Sequence, residues 1–194
     1  MNRFCQKISI IIIFVIAVFC FNPNIALGEI NPMEIGRVVQ EIETLDATRS
    51  GLAVSLEGST EEPTLETFKQ VCKPVGMKAK QLSQENGWQI QQIAQKYRNP
   101  DHAPHNLRDK IALAKLEQNP DLMGFWEKEA KGIHYYRRID VEASCLACHG
   151  RKNSRPQFVQ DKYPQDMAFE FQVGDLRGMY SVLIPEELKN QLPE

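Results

Sequence analysis

Ile133-His134-Tyr135-Tyr136-Arg137-Arg138-Ile139 is the stretch that decides the fold class. It is aromatic and β-branched, which suits a pleated, packed strand better than a helix. It also marks a change of texture along the chain. After it, Met167 to Val173 alternates apolar and polar residues, and Gly178 to Ile184 does so less strictly. Gly174-Asp175 between those two runs is a hairpin signal. Before it, the apolar residues recur at helical spacing. Helices early and antiparallel strands late predict an α+β domain rather than a helical bundle.

The helical part reads in three segments. Ile35, Val38, Val39, Ile42 and Leu45 predict an amphipathic helix from Pro32 to Thr48. From Thr64 to Ser83, Leu65, Phe68, Cys72, Val75, Ala79 and Leu82 form a second stripe, which Pro74 is expected to kink or break. Leu107 to Gln118 is the third, ended before Asn119-Pro120. Gly51 to Leu56 fits a helical continuation or a strand equally well, and Gly87-Trp88-Gln89-Ile90 opens a short strand. Asn99 to Pro104 is a loop by composition.

The chain has 194 residues, but its start reads as an export signal. Arg3 and Lys7 give a basic n-region, Ile8 to Phe21 is a nearly unbroken apolar run, and Ala26-Leu27-Gly28 offers small residues at a cleavage point. The apolar run is shorter than the ~20 residues needed to span a bilayer. Cleavage after Gly28 is therefore favoured over a retained N-terminal anchor, and no integral span is expected after cleavage. Residues 29–194 then make a single domain large enough for a real core. Losing Arg3 and Lys7 leaves 21 Lys+Arg against 25 Asp+Glu, a formal charge of −4. With no basic block, nucleic acid and anionic membrane surfaces are not the expected partners.

Cys145-Leu146-Ala147-Cys148-His149 is the stretch that carries chemistry. Two thiols three positions apart can each add across a haem vinyl group, and the next residue brings an imidazole onto the iron. One covalent haem c is the cofactor this predicts, in an exported compartment where such attachment is usually made. A thioredoxin-like dithiol would want a βαβ setting, whereas polar, loop-like residues flank this pair. A zinc site would want a second ligand pair, and His102 with His105 is broken by Pro104.

Cys72 is then left as the odd thiol of the mature chain. It reads as a small apolar residue on the helix stripe, as a dimerising surface thiol, or as an iron ligand held as thiolate by ferric iron. His102, His105, His134, Met77, Met123, Met167 and Met179 carry side chains that can also ligate iron. For the haem propionates, Tyr97, Arg98, Arg137 and Arg138 are the candidates, since a guanidinium pairs bidentately with a carboxylate. Arg137 with Arg138 fits a solvated basic patch at least as well.

Tyr97-Arg98-Asn99-Pro100-Asp101-His102-Ala103-Pro104, Cys145 to Gly150, and Gly174-Asp175-Leu176-Arg177-Gly178-Met179-Tyr180-Ser181-Val182 occur in that order. Together they resemble the exported, PAS-like haem-c domain of cyanobacterial proteins and sensory ectodomains, over about residues 30–184. The resemblance implies a PAS-like antiparallel β-sheet flanked by helices, with one covalent haem. It implies His149 as proximal ligand and Cys72 as the other. Arg98, in the first of these segments, is then the preferred propionate partner. Loss of Cys72 from the iron on reduction, or on arrival of NO or CO, would make the domain a redox or small-ligand sensor that speaks to a redox or signalling protein partner, and the export signal places it in the periplasm or thylakoid lumen. A thiolate donor would lower the reduction potential, so a low-potential electron-transfer protein is the alternative reading. A redox enzyme ranks last, for no acid/base cluster or second haem motif is present.

Overall fold

The computed structural model describes residues 32–186. The leader expected over residues 1–28 lies outside the described residues. The first helix, α1, runs Pro32–Ala53 and continues into a short turn of 3-10 helix, Val54–Leu56. It is longer than the apolar spacing suggested, and Gly51 is helical rather than strand. Ile35, Val38, Ile42 and Leu45 form its buried stripe.

The second helix, α2, spans Leu65–Asn86. A reciprocal pair of hydrogen bonds between Thr64 and Thr67 caps its start, and Gly87 ends it at φ +69°, a left-handed position that favours glycine. Pro74 does not break it. The ring removes one backbone donor and its hydrogen bond, yet the helix continues because Val71, Val75, Ala79 and Leu82 are packed on both sides of it. Trp88, wholly buried, follows the cap and donates its indole N–H to Glu34 at 2.7 Å. That bond ties the end of α2 to the start of α1.

Four strands follow: β1 (Gln89–Ile93), β2 (Gly124–Glu129), β3 (Gly132–Asp140) and β4 (Leu176–Pro185), in the antiparallel order β1-β4-β3-β2. Helix α3 (Leu107–Gln118), capped by the Asn106 side chain on Asp109 N–H at 2.9 Å, lies between β1 and β2 in the chain. Its Ala112, Leu113 and Leu116 pack on one sheet face with Ile93, Tyr136, Met179 and Phe125. On the other face, Arg137 of β3 reaches Glu43 of α1 at 2.8 and 2.9 Å, and α2 bonds Ile90 N–H through Ser83. Both faces of the central strands are thus covered, which is why β3 reads as a continuous rather than an alternating run.

One expectation about the sheet fails. Met167 to Val173 is not a strand, and Gly174-Asp175 is a turn outside any hairpin. The backbone N–H groups of this segment are spent elsewhere: Met167 on Tyr97 C=O (2.8 Å), Glu170 on Gly150 C=O (2.7 Å) and Phe171 on His149 C=O (3.2 Å). Its alternation comes from lying as a shelf under another loop, with Ala168 and Phe171 turned into a small apolar cluster. Glu170 takes a left-handed φ of 55° to make those turns.

Candidate cofactor site

Cys145 closes a short 3-10 turn, and Leu146–His149 forms a single helical turn, α4. Residues three and four positions apart share a helical face, so Cys145, Cys148 and His149 are presented together. All three line one cavity of about 470 Å³. That is within the roughly 300–1,000 Å³ of small-molecule and cofactor pockets. Its walls come from the end of α1, the first half of α2, the segment after β1, and the start of β4. The second stripe explains itself here. Toward the C-terminus of α2 it meets core, but Phe68 and Cys72 at its start face this cavity instead.

His149 is oriented by what surrounds its Nδ1. Ala168 C=O lies 2.8 Å away and can only accept, so Nδ1 carries the hydrogen and Nε2 keeps the lone pair. Arg98 approaches the same nitrogen at 3.2 Å and donates to Cys148 C=O at 2.8 Å. Burial, with Arg177 and then Arg98 nearby, holds the imidazole pKa well below its ordinary value. His149 is therefore a neutral ligand-type imidazole at physiological pH. Phe171 stands edge-on to its ring at 6.1 Å.

Behind this lies Asp166, whose side chain is fully buried between Arg98 (3.4 Å) and Arg155 (2.9 Å). It also accepts from Ala168 N–H at 3.0 Å. Asp166 thus fixes both groups that touch His149 Nδ1. Arg98 does line the cavity, but its hydrogen bonds go to Asp166 and to the Cys148 backbone.

The cysteines are held from α1. Arg49 bonds Asp46 (2.7 Å) and Glu142 (2.9 Å) and sets its guanidinium 3.8 Å from Cys145 Sγ. Asp46 is shared with Arg137 at 3.3 Å. Burial pushes the Cys148 thiol up to about 11 and raises Cys72 as well, in spite of Arg98 and other arginines acting the other way. Cys72 keeps exposed surface because its surroundings are the cavity itself.

The other candidates separate cleanly. His102 and Met77 line the cavity; His105, His134, Met123, Met167 and Met179 do not. His134 is buried against Tyr136, with Glu129 at 2.9 Å and Arg108 at 3.2 Å. Arg137 and Arg138 are buried structural cations, not a solvated patch: Arg138 pairs with Asp140 and donates to Leu116 C=O at 2.8 Å. Among the described residues no cluster of three or more His, Cys, Asp or Glu is placed to hold a metal ion by itself. The sheet is antiparallel throughout, so the cysteine pair does not sit in a βαβ unit.

Arg49, Asp166 and Arg177 escaped sequence reasoning. For Arg49 a signal existed, since Glu43, Asp46 and Arg49 repeat every three residues on one face of α1. For Asp166 there was none, because its partners are 68 and 11 residues away.

Fold and site together define a class, an α+β domain whose sheet end and helices enclose a cofactor-sized cavity sealed by a Cys-x-x-Cys-His turn. The chain belongs to the Tll0287-like family, whose model matches residues 34–185. It is similar to the crystal structure of the cyanobacterial heme-protein Tll0287, at 58% identity and a TM-score of 0.76, covering 81% of this chain and 98% of that one. No curated protein matches it.

Proposed function

We propose that this chain is a haem protein with one haem c, attached through Cys145 and Cys148 and ligated by His149 and Cys72, and that it serves as a redox or small-ligand sensor. The observation that carries the reading is convergence. Both thiols of the Cys-x-x-Cys-His turn, a neutral imidazole with Nε2 free, and a third thiol, Cys72 on α2, line the same cavity. The donor set fits haem, and the similar structure is that of a heme-protein.

The haem supplies one-electron chemistry and an iron that takes axial ligands. The chain's own contribution is positional. Ala168 C=O holds the His149 ring in the Nδ1–H tautomer, and Asp166 fixes Ala168 through its backbone N–H. Arg49 sets its guanidinium 3.8 Å from the Cys145 sulfur and so holds that side chain from α1. Cys72 is a neutral thiol in the protein alone, because burial outweighs its neighbouring arginines, and ferric iron would stabilise its thiolate.

Cys72 sits two residues before Pro74, where α2 lacks a backbone donor, and four before Gly76. A change in what Cys72 binds is therefore felt first by the weakest turn of α2. That favours a sensor over a rigid carrier, with NO, CO or the redox state as signal and a redox or signalling protein as recipient. The low-potential electron-transfer reading keeps one support, the cavity rim at Lys73, Met77 and Lys80, all exposed.

The antiparallel sheet flanked by helices fits a PAS-like domain over residues 29–194. Export to periplasm or thylakoid lumen rests on the leader pattern of residues 1–28. No described helix is long and apolar enough to cross a membrane.

The test is EPR of the ferric, haem-loaded protein beside Cys72→Ser. A low-spin thiolate-type signal that disappears in the variant supports the ligand pair. Identical spectra remove Cys72 from the iron and turn the reading toward an ordinary electron carrier.

A further inference from the structure

The cations that line the cavity are not alike. Arg49 is neutralised by Asp46 and Glu142, and Arg98 by Asp166. Lys73 and Lys80 stand exposed at the rim. Arg177 differs from all of these. It is largely buried, it lines the cavity, and among the described residues no carboxylate lies within ion-pairing distance of it. Its recorded contacts are one hydrogen bond to Lys96 C=O at 3.1 Å and the Phe171 ring at 5.6 Å. Burial, aided by Arg98, pulls its pKa down to about 10, so it stays charged at neutral pH.

The backbone goes out of its way to put it there. Leu176 and Met179 both pack toward α3, although residues three apart on a regular strand face opposite sides. The register absorbs this: Ile139 pairs with Gly178 and Asp140 with Leu176, leaving Arg177 without a cross-strand partner. Such a bulge re-aims a side chain. Gly178 beside it also lacks room for a side chain, since a Cβ would fall 2.5 Å from Ile93 C=O. His102 lines the same cavity, and burial together with Arg177 keeps its imidazole neutral.

Asp166, already shared by Arg98 and Arg155, acts on Arg177 only from beyond contact, and a largely buried cation with no contacting counter-charge is unfavourable unless the group that fills its pocket brings one. We propose that Arg177, with His102 beside it, is the carboxylate-receiving corner of the cavity and pairs with one haem propionate. This rests on the haem reading above. Arg98 is left as a positioning residue for His149.

The experiment is resonance Raman of the propionate bending mode in wild type, Arg177→Lys and Arg177→Leu, each checked for bound haem by its pyridine haemochrome. The mode is expected to shift in both variants, further in Arg177→Leu. The reduction potential is expected to fall in Arg177→Leu and to be largely restored by Arg177→Lys, because a lost cation favours ferric iron. A haem-loaded variant with the propionate mode unchanged overturns the assignment and leaves Arg177 a purely structural residue. If Arg177→Leu does not fold, Arg177→Lys decides by the same mode. Wild type without a haemochrome overturns the haem reading itself, and the Arg177 assignment with it.

Discussion

The two faces of the sheet solve opposite problems with similar residues. Toward α3 lies a dry cluster of Ile93, Leu113, Leu116, Tyr136 and Met179, and its buried cation Arg138 is answered by Asp140 and the Leu116 carbonyl. Toward α1 and α2, beside the start of β4, lies the cavity, where among the described residues Arg177 has no carboxylate within ion-pairing distance and Cys72 has no disulfide partner. In the first region the buried cation is paired, and the Tyr136 hydroxyl is the polar atom left without a partner among the described residues. The second is complete only with something in it. A protein can leave polar groups so unanswered when a bound group supplies what is missing, so the contrast points at a cofactor before any motif is invoked.

The contrast is sharpest under loss of the thiols. Cys145→Ala with Cys148→Ala should abolish covalent haem altogether, read as haem that organic extraction now removes, while the haem-free proteins should melt alike. A large drop in their melting temperature would show the turn to be part of the core instead. Asp166→Ala should come next. It strips two buried arginines of their shared carboxylate, and breaking such a pair costs about 3–5 kcal/mol. Denaturant unfolding reads the loss, and the His149 ligation spectrum should broaden as its Nδ1 partners loosen.

Leu116→Ala tests the other face. Removing a fully buried side chain there should cost about 2–5 kcal/mol, with the haem spectrum unchanged. A spectral change on that substitution would break the division between the two faces.

The smallest effect is a pH slope on the α3 face. Burial first, then Arg108, lowers the His134 pKa, against Glu129 and Asp109 acting to raise it. The unfolded state therefore binds the proton more readily, and this contribution is present above the unfolded value near 6.5 and fades as pH falls toward the folded one. Asp109, raised by its own burial, leans the other way. The difference in melting temperature between wild type and His134→Gln, followed from pH 7.5 to 5, isolates the histidine term and should shrink as pH falls. A constant difference would mean His134 keeps its ordinary pKa.

Much of this was legible without coordinates. Local rules fix local things: the periodicity that makes α1, α2 and α3, the aromatic run of β3, and the cysteine–histidine spacing that points to haem. The failures share one cause. Pro74 was expected to break α2, but packing on both sides of it outweighs one lost hydrogen bond. Met167 to Val173 alternates like a strand, yet its donors serve the His149 turn, because a neighbour in space took them first. Arg137 and Arg138 look like surface charge until Glu43, Asp140 and Leu116 are seen around them.

By itself, then, the sequence determined the α+β class and the helices, since each depends on neighbours a few positions away. Which face of α2 meets the cavity, which arginines are spent on Asp166 and which has no carboxylate in contact among the described residues were decided by the tertiary structure alone. Burial and counter-charge are properties of residues brought together from distant parts of the chain, and no local pattern encodes them.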